Sequence, residues 1–221
     1  MTRVAIFDCD GTLVDSGATI ADALALTFAD CGVTMPPPHI ARRVIGLSLV
    51  EAMARLVPDA TGDDHVDLAE RYKKHFQQLR ATGRVAEPLY PGILDLLDAF
   101  ENDGWLLAVA TGKSDRGLKH CLDSHGLHAR FVSLQTGDRH PSKPNPSMIE
   151  QVLRDSGASA NRCLMIGDTS FDIEMAVAAG AAPIGVAWGY HEPEELIDAG
   201  ALLVAEEPRQ IFDFARDQLD G

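Results

Sequence analysis

The apolar residues of this chain form short continuous runs that alternate with stretches of helical periodicity. A short apolar run predicts a buried strand, whereas apolar residues three or four positions apart predict a helix. The predicted strands are 4–7, 105–110, 131–134, 163–166, 183–187 and 202–204, and the predicted helices are 93–101, 115–125, 146–156, 171–179, 193–198 and 208–218. This alternation predicts an α/β fold, a Rossmann-like parallel sheet with helices on both faces.

One segment, from about residue 16 to about residue 87, interrupts the alternation because it contains no strand run. Apolar residues recur there at helical spacing in two stripes, Ile20, Leu24, Phe28 and Cys31, then Val66, Ala69, Tyr72, Phe76 and Leu79. The pattern predicts a small all-helical cap domain of residues 16–87. The Rossmann-like core would comprise residues 1–15 and 88–221.

Composition and charge narrow the classes of partner. The chain is 46% hydrophobic, which permits a packed core, and its formal net charge is −14. Such a surface repels nucleic acid and anionic membranes, so we expect neither as a partner. No apolar stretch is long enough for a membrane span or a secretion signal, and the four cysteines show no CxxC pairing. We therefore expect reduced thiols and a cytoplasmic location.

Two acidic residues directly follow the first predicted strand. Asp8 and Asp10 are two positions apart, so on an extended strand end their carboxylates point the same way. Gly11 then permits a tight turn whose N–H groups can hold a phosphate. An ordinary Asp-Gly turn is the alternative, but an acidic pair directly after a buried strand is uncommon. The pattern favours a functional site.

Three further motifs follow later strands, and each alone has an ordinary structural explanation. Thr111-Gly112-Lys113 offers a hydroxyl and an N–H to a phosphate oxygen but also resembles a helix start. Lys143 lies between prolines on a stiff loop, where a lone lysine is more often a solvated residue than a ligand. Asp168 and Asp172 are four residues apart, which also suits an acidic helix start.

Taken together, the motifs place a hydroxyl, a lysine and several carboxylates at one edge of the sheet, where ligands of such folds bind. High carboxylate density is what Mg²⁺ prefers in proteins. Because these acids would otherwise repel a phosphate, the charge balance calls for a divalent cation together with Lys143.

The four motifs, in this order, resemble those of the haloacid dehalogenase superfamily, in particular its phosphatases. The helical insert resembles the C1 cap of the phosphoglycolate phosphatase-like branch, so the resemblance covers essentially the whole chain. It implies that Asp8 is the nucleophile that forms an aspartyl-phosphate, and that Asp10 is the general acid and base. It also implies that Thr111, Gly112 and Lys143 bind the transferring phosphoryl group.

The resemblance further implies the ligands of the cation. Mg²⁺ would be held by the Asp8 carboxylate, the Asp10 backbone carbonyl and Asp168, with Asp172 as a ligand or as support for one. Dehalogenases and phosphonatases of the superfamily lack an acid at the position of Asp10. Its presence therefore favours phosphoester chemistry.

The substrate is less well determined. The leading expectation is hydrolysis of a small phosphorylated metabolite, with phosphoglycolate the first candidate. The alternatives are a phosphomutase of the beta-phosphoglucomutase type and a hydrolase of sugar phosphates or pyrophosphate. Residues 42–48 resemble the family's specificity loop, in which Arg43 could meet a substrate carboxylate, although Arg42 and Arg43 suit a solvated helix end equally well. The sequence leaves the oligomeric state open.

Overall fold

A computed structural model describes residues 2–219 and contains one six-stranded sheet. Its strands are β1 (Val4–Phe7), β2 (Leu106–Thr111), β3 (Phe131–Thr136), β4 (Cys163–Gly167), β5 (Ala182–Val186) and β6 (Leu203–Ala205). All neighbouring pairs are parallel, in the order β3-β2-β1-β4-β5-β6. The predicted parallel sheet is confirmed.

The central strand β1 explains how the sheet is buried on both faces. Val4 and Ile6 pack into one apolar cluster, whereas Ala5 and Phe7 pack into the cluster on the opposite face. All four residues are fully buried. Because β1 lies between β2 and β4, the residues that follow it reach the middle of the sheet edge.

Helices cover both faces of the sheet, as predicted. They are α5 (Ile93–Asn102), α6 (Asp115–Ser124), α7 (Ser147–Ser156), α8 (Ser170–Ala179), α9 (Pro193–Asp198) and α10 (Pro208–Leu219). Side chains of α5, α6 and α10 enter the cluster that contains Phe7, and those of α7 and α8 enter the cluster that contains Ile6.

Two predicted strands begin one residue too early. Trp105 is buried but precedes β2, because its ring packs edge-on against Phe100 of α5, with ring centroids 5.2 Å apart. Leu202 precedes β6 and is 61% exposed. Apolar character alone therefore placed both strand starts incorrectly.

The segment without strands forms four helices, α1 (Gly17–Cys31), α2 (Pro38–Arg42), α3 (Leu49–Leu56) and α4 (Gly62–Ala81), which share an apolar cluster of their own. One predicted stripe residue was wrong, since Val66 is 49% exposed. The buried position is taken by His65, whose ring lies 2.9 Å from the Val57 carbonyl oxygen. Because His65 is polar, the spacing of apolar residues does not predict that it is buried.

The two connections between the helical segment and the rest of the chain are hydrogen-bonded to each other. The Asp15 N–H donates to the Pro88 carbonyl at 2.9 Å, and the Tyr90 N–H donates to the Leu13 carbonyl at 3.0 Å. The division into a core of residues 1–15 and 88–221 and a cap of residues 16–87 stays a prediction. Among the described residues, no helix is both long and apolar enough to cross a membrane, and the four cysteines are free.

Candidate active site at the carboxyl edge of the sheet

Asp8 lies at the centre of the carboxyl edge, directly after β1, and is fully buried. Its backbone N–H donates to the Ile166 carbonyl of β4 at 2.9 Å, which continues the sheet by one bond. Lys143, also fully buried, places its Nζ 2.9 Å from Asp8 Oδ1 and 2.5 Å from Asp172 Oδ1. The structure therefore brings together three residues that lie far apart in the sequence.

Hydrogen bonds from the chain fix the other two carboxylates. Asp168 accepts from the Thr12 hydroxyl at 3.0 Å and from the Tyr190 N–H at 2.9 Å. Asp172 accepts from the hydroxyl and the N–H of Thr169 at 2.7 and 3.1 Å, which forms the capping box of α8. Each acid is thus held in one orientation before any ligand binds.

Ligand oxygens of Asp8, Asp168 and Asp172 lie within 4.8 Å of one another, and we call these three residues the acid cluster. These three buried carboxylates share one ammonium, since Lys143 Nζ lies 2.9 Å from Asp8 Oδ1, and Asp8 Oδ2 has no hydrogen-bond partner among the described residues. Burial raises the pKa of Asp8 to about 7 despite Lys143, and burial and the Asp8 charge raise that of Asp168 well above its usual value. A buried, under-neutralised oxygen cluster of this kind fits a hard divalent cation such as Mg²⁺.

Gly11 is required by the way the chain turns after Asp10. Its φ of +83° is unfavourable for any residue with a side chain. A Cβ at this position would lie 2.2 Å from Asp168 Oδ2. The glycine therefore lets the turn approach the acid cluster, which sharpens the sequence prediction of a tight turn near a phosphate.

Thr111 and Gly112 lie at the end of β2, where a loop of the helical segment covers them. Thr111 is buried, and its hydroxyl accepts from the Lys113 N–H at 3.3 Å. A Cβ on Gly112 would lie 2.3 Å from the Leu47 carbonyl oxygen. We call the contact of residues 46–48 with Gly112, Gly137 and Ser142 the glycine seam; the Ser48 N–H donates to Ser142 Oγ across it at 2.9 Å.

Asp10 belongs to a different group of charges from Asp8. Its carboxylate accepts from the Ser16 hydroxyl and pairs with Lys113 Nζ. Lys113 also contacts Glu87 Oε1 at 2.9 Å, and Glu87 in turn pairs with Arg80 of α4 at 2.9 Å. We call Asp10, Lys113, Glu87 and Arg80 the charge chain.

The sequence motif at the end of β2 pointed to the Thr111 hydroxyl and the Gly112 N–H, and the sequence predicted no role for Glu87 or Arg80. Although burial opposes it, the pKa of Lys113 is raised well above its usual value by the nearby Asp10, and that of Glu87 is lowered mainly by Lys113 despite burial. No local motif marks Glu87, because its partners come from α4 and from the end of β2. The Asp10 side chain lies outside the acid cluster. The predicted contact of Asp10 with the metal is through its backbone carbonyl, and it stays a prediction.

Arg43 lies at the contact between the helical segment and the core. Its guanidinium pairs with Glu195 of α9, and its carbonyl oxygen lies 3.3 Å from the His191 ring nitrogen Nε2. The neighbouring Arg42 guanidinium lies 5.7 Å from the centre of the Tyr190 ring. Both arginines thus contact the core, and the predicted substrate contact of Arg43 stays untested.

Comparison with known proteins shows the family to which the chain belongs. The family model of haloacid dehalogenase-like hydrolases matches residues 5–186. The chain belongs to this family. It is 33% identical to a protein of Dickeya dadantii (strain 3937) named Probable phosphatase IndB, over 96% of this chain and 90% of that protein. It is 28% identical to Phosphoglycolate phosphatase of Pseudomonas syringae pv. syringae, over 96% of this chain and 79% of that protein.

A solved structure of a hydrolase from Pseudomonas syringae has the same fold, with a TM-score of 0.85 and 24% identity over 98% of this chain and 99% of that one. The matches confirm the predicted superfamily and the predicted enzyme class, a phosphatase of the haloacid dehalogenase type. They confirm the α/β fold as well.

Proposed function

We propose that this member of the family is a Mg²⁺-dependent phosphatase that hydrolyses a small phosphorylated metabolite through an aspartyl-phosphate on Asp8. The observation that carries the proposal is the buried Asp8 carboxylate, whose Oδ1 lies 2.9 Å from Lys143 Nζ, whose Oδ2 has no hydrogen-bond partner among the described residues, and which lies beside two further carboxylates. A nucleophile needs a free lone pair, and this carboxylate has one.

In the first half of the reaction, an Asp8 oxygen attacks phosphorus and the bond from phosphorus to the ester oxygen breaks. Asp10 gives its proton to the departing oxygen, which leaves as the alcohol. Lys143 and the Thr111 hydroxyl offset negative charge on the phosphoryl oxygens. Mg²⁺, held by Asp8, Asp168, Asp172 and the Asp10 carbonyl, would supply electrostatic stabilisation of the same charge.

In the second half, Asp10 accepts a proton from a water molecule that attacks phosphorus. The bond between Asp8 and phosphorus breaks, which releases inorganic phosphate and regenerates both carboxyl groups. Asp10 is suited to both steps because it stands apart from the acid cluster and is oriented by Ser16 and Lys113.

Phosphoglycolate is the first substrate to assay, since several relatives carry its name. Phosphomutase activity and hydrolysis of sugar phosphates or pyrophosphate are the alternatives. Steady release of inorganic phosphate without a bisphosphate activator separates a hydrolase from a mutase. A cytoplasmic location remains part of the proposal.

Asp8→Asn tests the nucleophile. We expect phosphate release to fall at least ~10³-fold, because the amide cannot form the intermediate. Acid quench of the wild type during turnover should yield a phosphorylated peptide that contains Asp8, and EDTA should abolish turnover until Mg²⁺ is restored. Glu174→Gln, an exposed acid on α8, is the matched control. Wild-type turnover by Asp8→Asn would refute the mechanism.

A further inference from the structure

A cavity of about 360 Å³ opens beside Asp10, between the core and helices α1, α3 and α4. On the core side it is bounded by Asp10, Gly112 and Lys113, whereas Asp8 and Lys143 do not line it. It therefore adjoins the acid that protonates the leaving oxygen, not the site that holds the phosphoryl group. On the proposed mechanism, on which this inference rests, the cavity is where the alcohol part of the substrate lies.

The wall of the cavity is mainly apolar. Side chains from α1, α3, α4 and the loop before α3 form it, among them Leu24, Val44, Leu47, Met53, Tyr72 and Phe76. The Tyr72 and Phe76 rings lie 5.9 Å apart. A wall of aliphatic and aromatic side chains gains free energy from an apolar guest and offers little to a charged one.

Most cations that border the cavity already have carboxylate partners within the chain. Lys73 pairs with Glu70 and Asp138, and Arg80 and Lys113 both pair with Glu87. A substrate carboxylate would have to compete with these ion pairs. Arg116, an exposed residue at the border, is the cation best placed to serve such a carboxylate.

The size of the cavity also favours a leaving group larger than that of phosphoglycolate. Ligand pockets of about 300–1,000 Å³ hold molecules with a substantial body, and the two-carbon acid of phosphoglycolate would leave most of this cavity unfilled. We propose that the preferred substrates are phosphomonoesters of uncharged alcohols that carry an aromatic or other apolar group, which packs against Tyr72, Phe76 and Met53.

The test compares 2-phenylethyl phosphate with ethyl phosphate and phosphoglycolate in the presence of Mg²⁺. The first two esters have similar leaving alcohols, so the ratio of their kcat/KM values reports binding in the cavity. We expect 2-phenylethyl phosphate to be favoured over ethyl phosphate by about 10- to 100-fold, as for burial of one aromatic ring.

Phe76→Ala should lower this ratio about 5- to 10-fold, because it removes part of the wall. Val66→Ala lies on the same helix but is exposed and outside the cavity, so it should leave the ratio unchanged. A loss shared equally by both esters in Phe76→Ala would indicate a structural effect and overturn the assignment.

A higher kcat/KM for phosphoglycolate than for 2-phenylethyl phosphate, lost in Arg116→Ala, would also overturn it. Acetyl phosphate separates this inference from the proposed function. If acetyl phosphate is hydrolysed but the phenylethyl ester is not favoured, only the leaving-group inference fails. If Mg²⁺-loaded protein hydrolyses none of the four compounds, the phosphatase proposal fails.

Discussion

Two lysines with largely buried side chains, Lys143 and Lys113, lie at the same sheet edge but are surrounded by different numbers of charges. Lys143 contacts two of the three buried carboxylates of the acid cluster, so the carboxylates outnumber the one ammonium. Lys113 belongs to the charge chain, in which two carboxylates face two cations. The acid cluster therefore needs a further positive charge, whereas the charge chain is already neutral.

The two groups also differ in where their members come from. Asp8 and Asp168 directly follow strands, Asp172 lies in the first turn of α8, and Lys143 lies on the loop before α7, so the core supplies all four. The charge chain extends from Asp10 of the core to Arg80 of α4. The comparison teaches that the acid cluster is complete without the helical segment, while the surroundings of Asp10 depend on it.

The largest expected effect comes from removal of Lys143. Lys143→Met leaves the buried carboxylates without their ammonium, so the free energy of unfolding should fall by about 3–5 kcal/mol in urea denaturation without added metal. Phosphate release should fall at least ~10²-fold. Lys119→Met, at an exposed lysine of α6, is the control and should change stability by less than about 0.5 kcal/mol. Unchanged stability in Lys143→Met would mean that the carboxylates are protonated.

A smaller effect is expected for Lys113→Met, about 2–3 kcal/mol of unfolding free energy. The reason is that Glu87 retains Arg80 and Asp10 retains the Ser16 hydroxyl. Mg²⁺ sharpens the comparison: it should restore part of the stability of Lys143→Met and none of that of Lys113→Met. Equal recovery of both variants would contradict the assignment of the metal to the acid cluster alone.

The smallest effect is expected for Arg43→Gln. The ion pair with Glu195 is largely exposed, so its loss should cost less than about 0.5 kcal/mol in urea denaturation. The KM for phosphoglycolate should change less than about twofold, since Glu195 already occupies the guanidinium. A tenfold rise in KM, absent from Glu195→Gln, would instead place Arg43 at the substrate.

Much of the core could be predicted from the sequence because its strands are continuous apolar runs and its site residues directly follow them. The rule that parallel strands end at one edge of the sheet was enough to predict that Asp8, Thr111 and Asp168 lie close together. Lys143 was harder, since nothing local shows that a lysine between prolines is fully buried. Its place is determined by the two carboxylates that it contacts.

The surroundings of Asp10 could not be predicted in the same way. Glu87 and Arg80 both lie within the predicted cap of residues 16–87, whereas Lys113, which also contacts Glu87, follows β2 of the core. Periodicity gives the helices but not the rotation that turns Arg80 towards Glu87. For the same reason the sequence pattern predicted Val66, not His65, to be buried in α4.

The glycine seam has a consequence for access to the site. Its two sides meet through backbone atoms and glycines, so separating them exposes little apolar area and breaks the hydrogen bond from Ser48 to Ser142. A second contact between the two parts differs, because Phe171 of α8 is buried in the apolar cluster of the helical segment. We expect the loop to lift first at Gly112 and to pivot about Phe171, so that phosphate can leave while the apolar wall stays assembled.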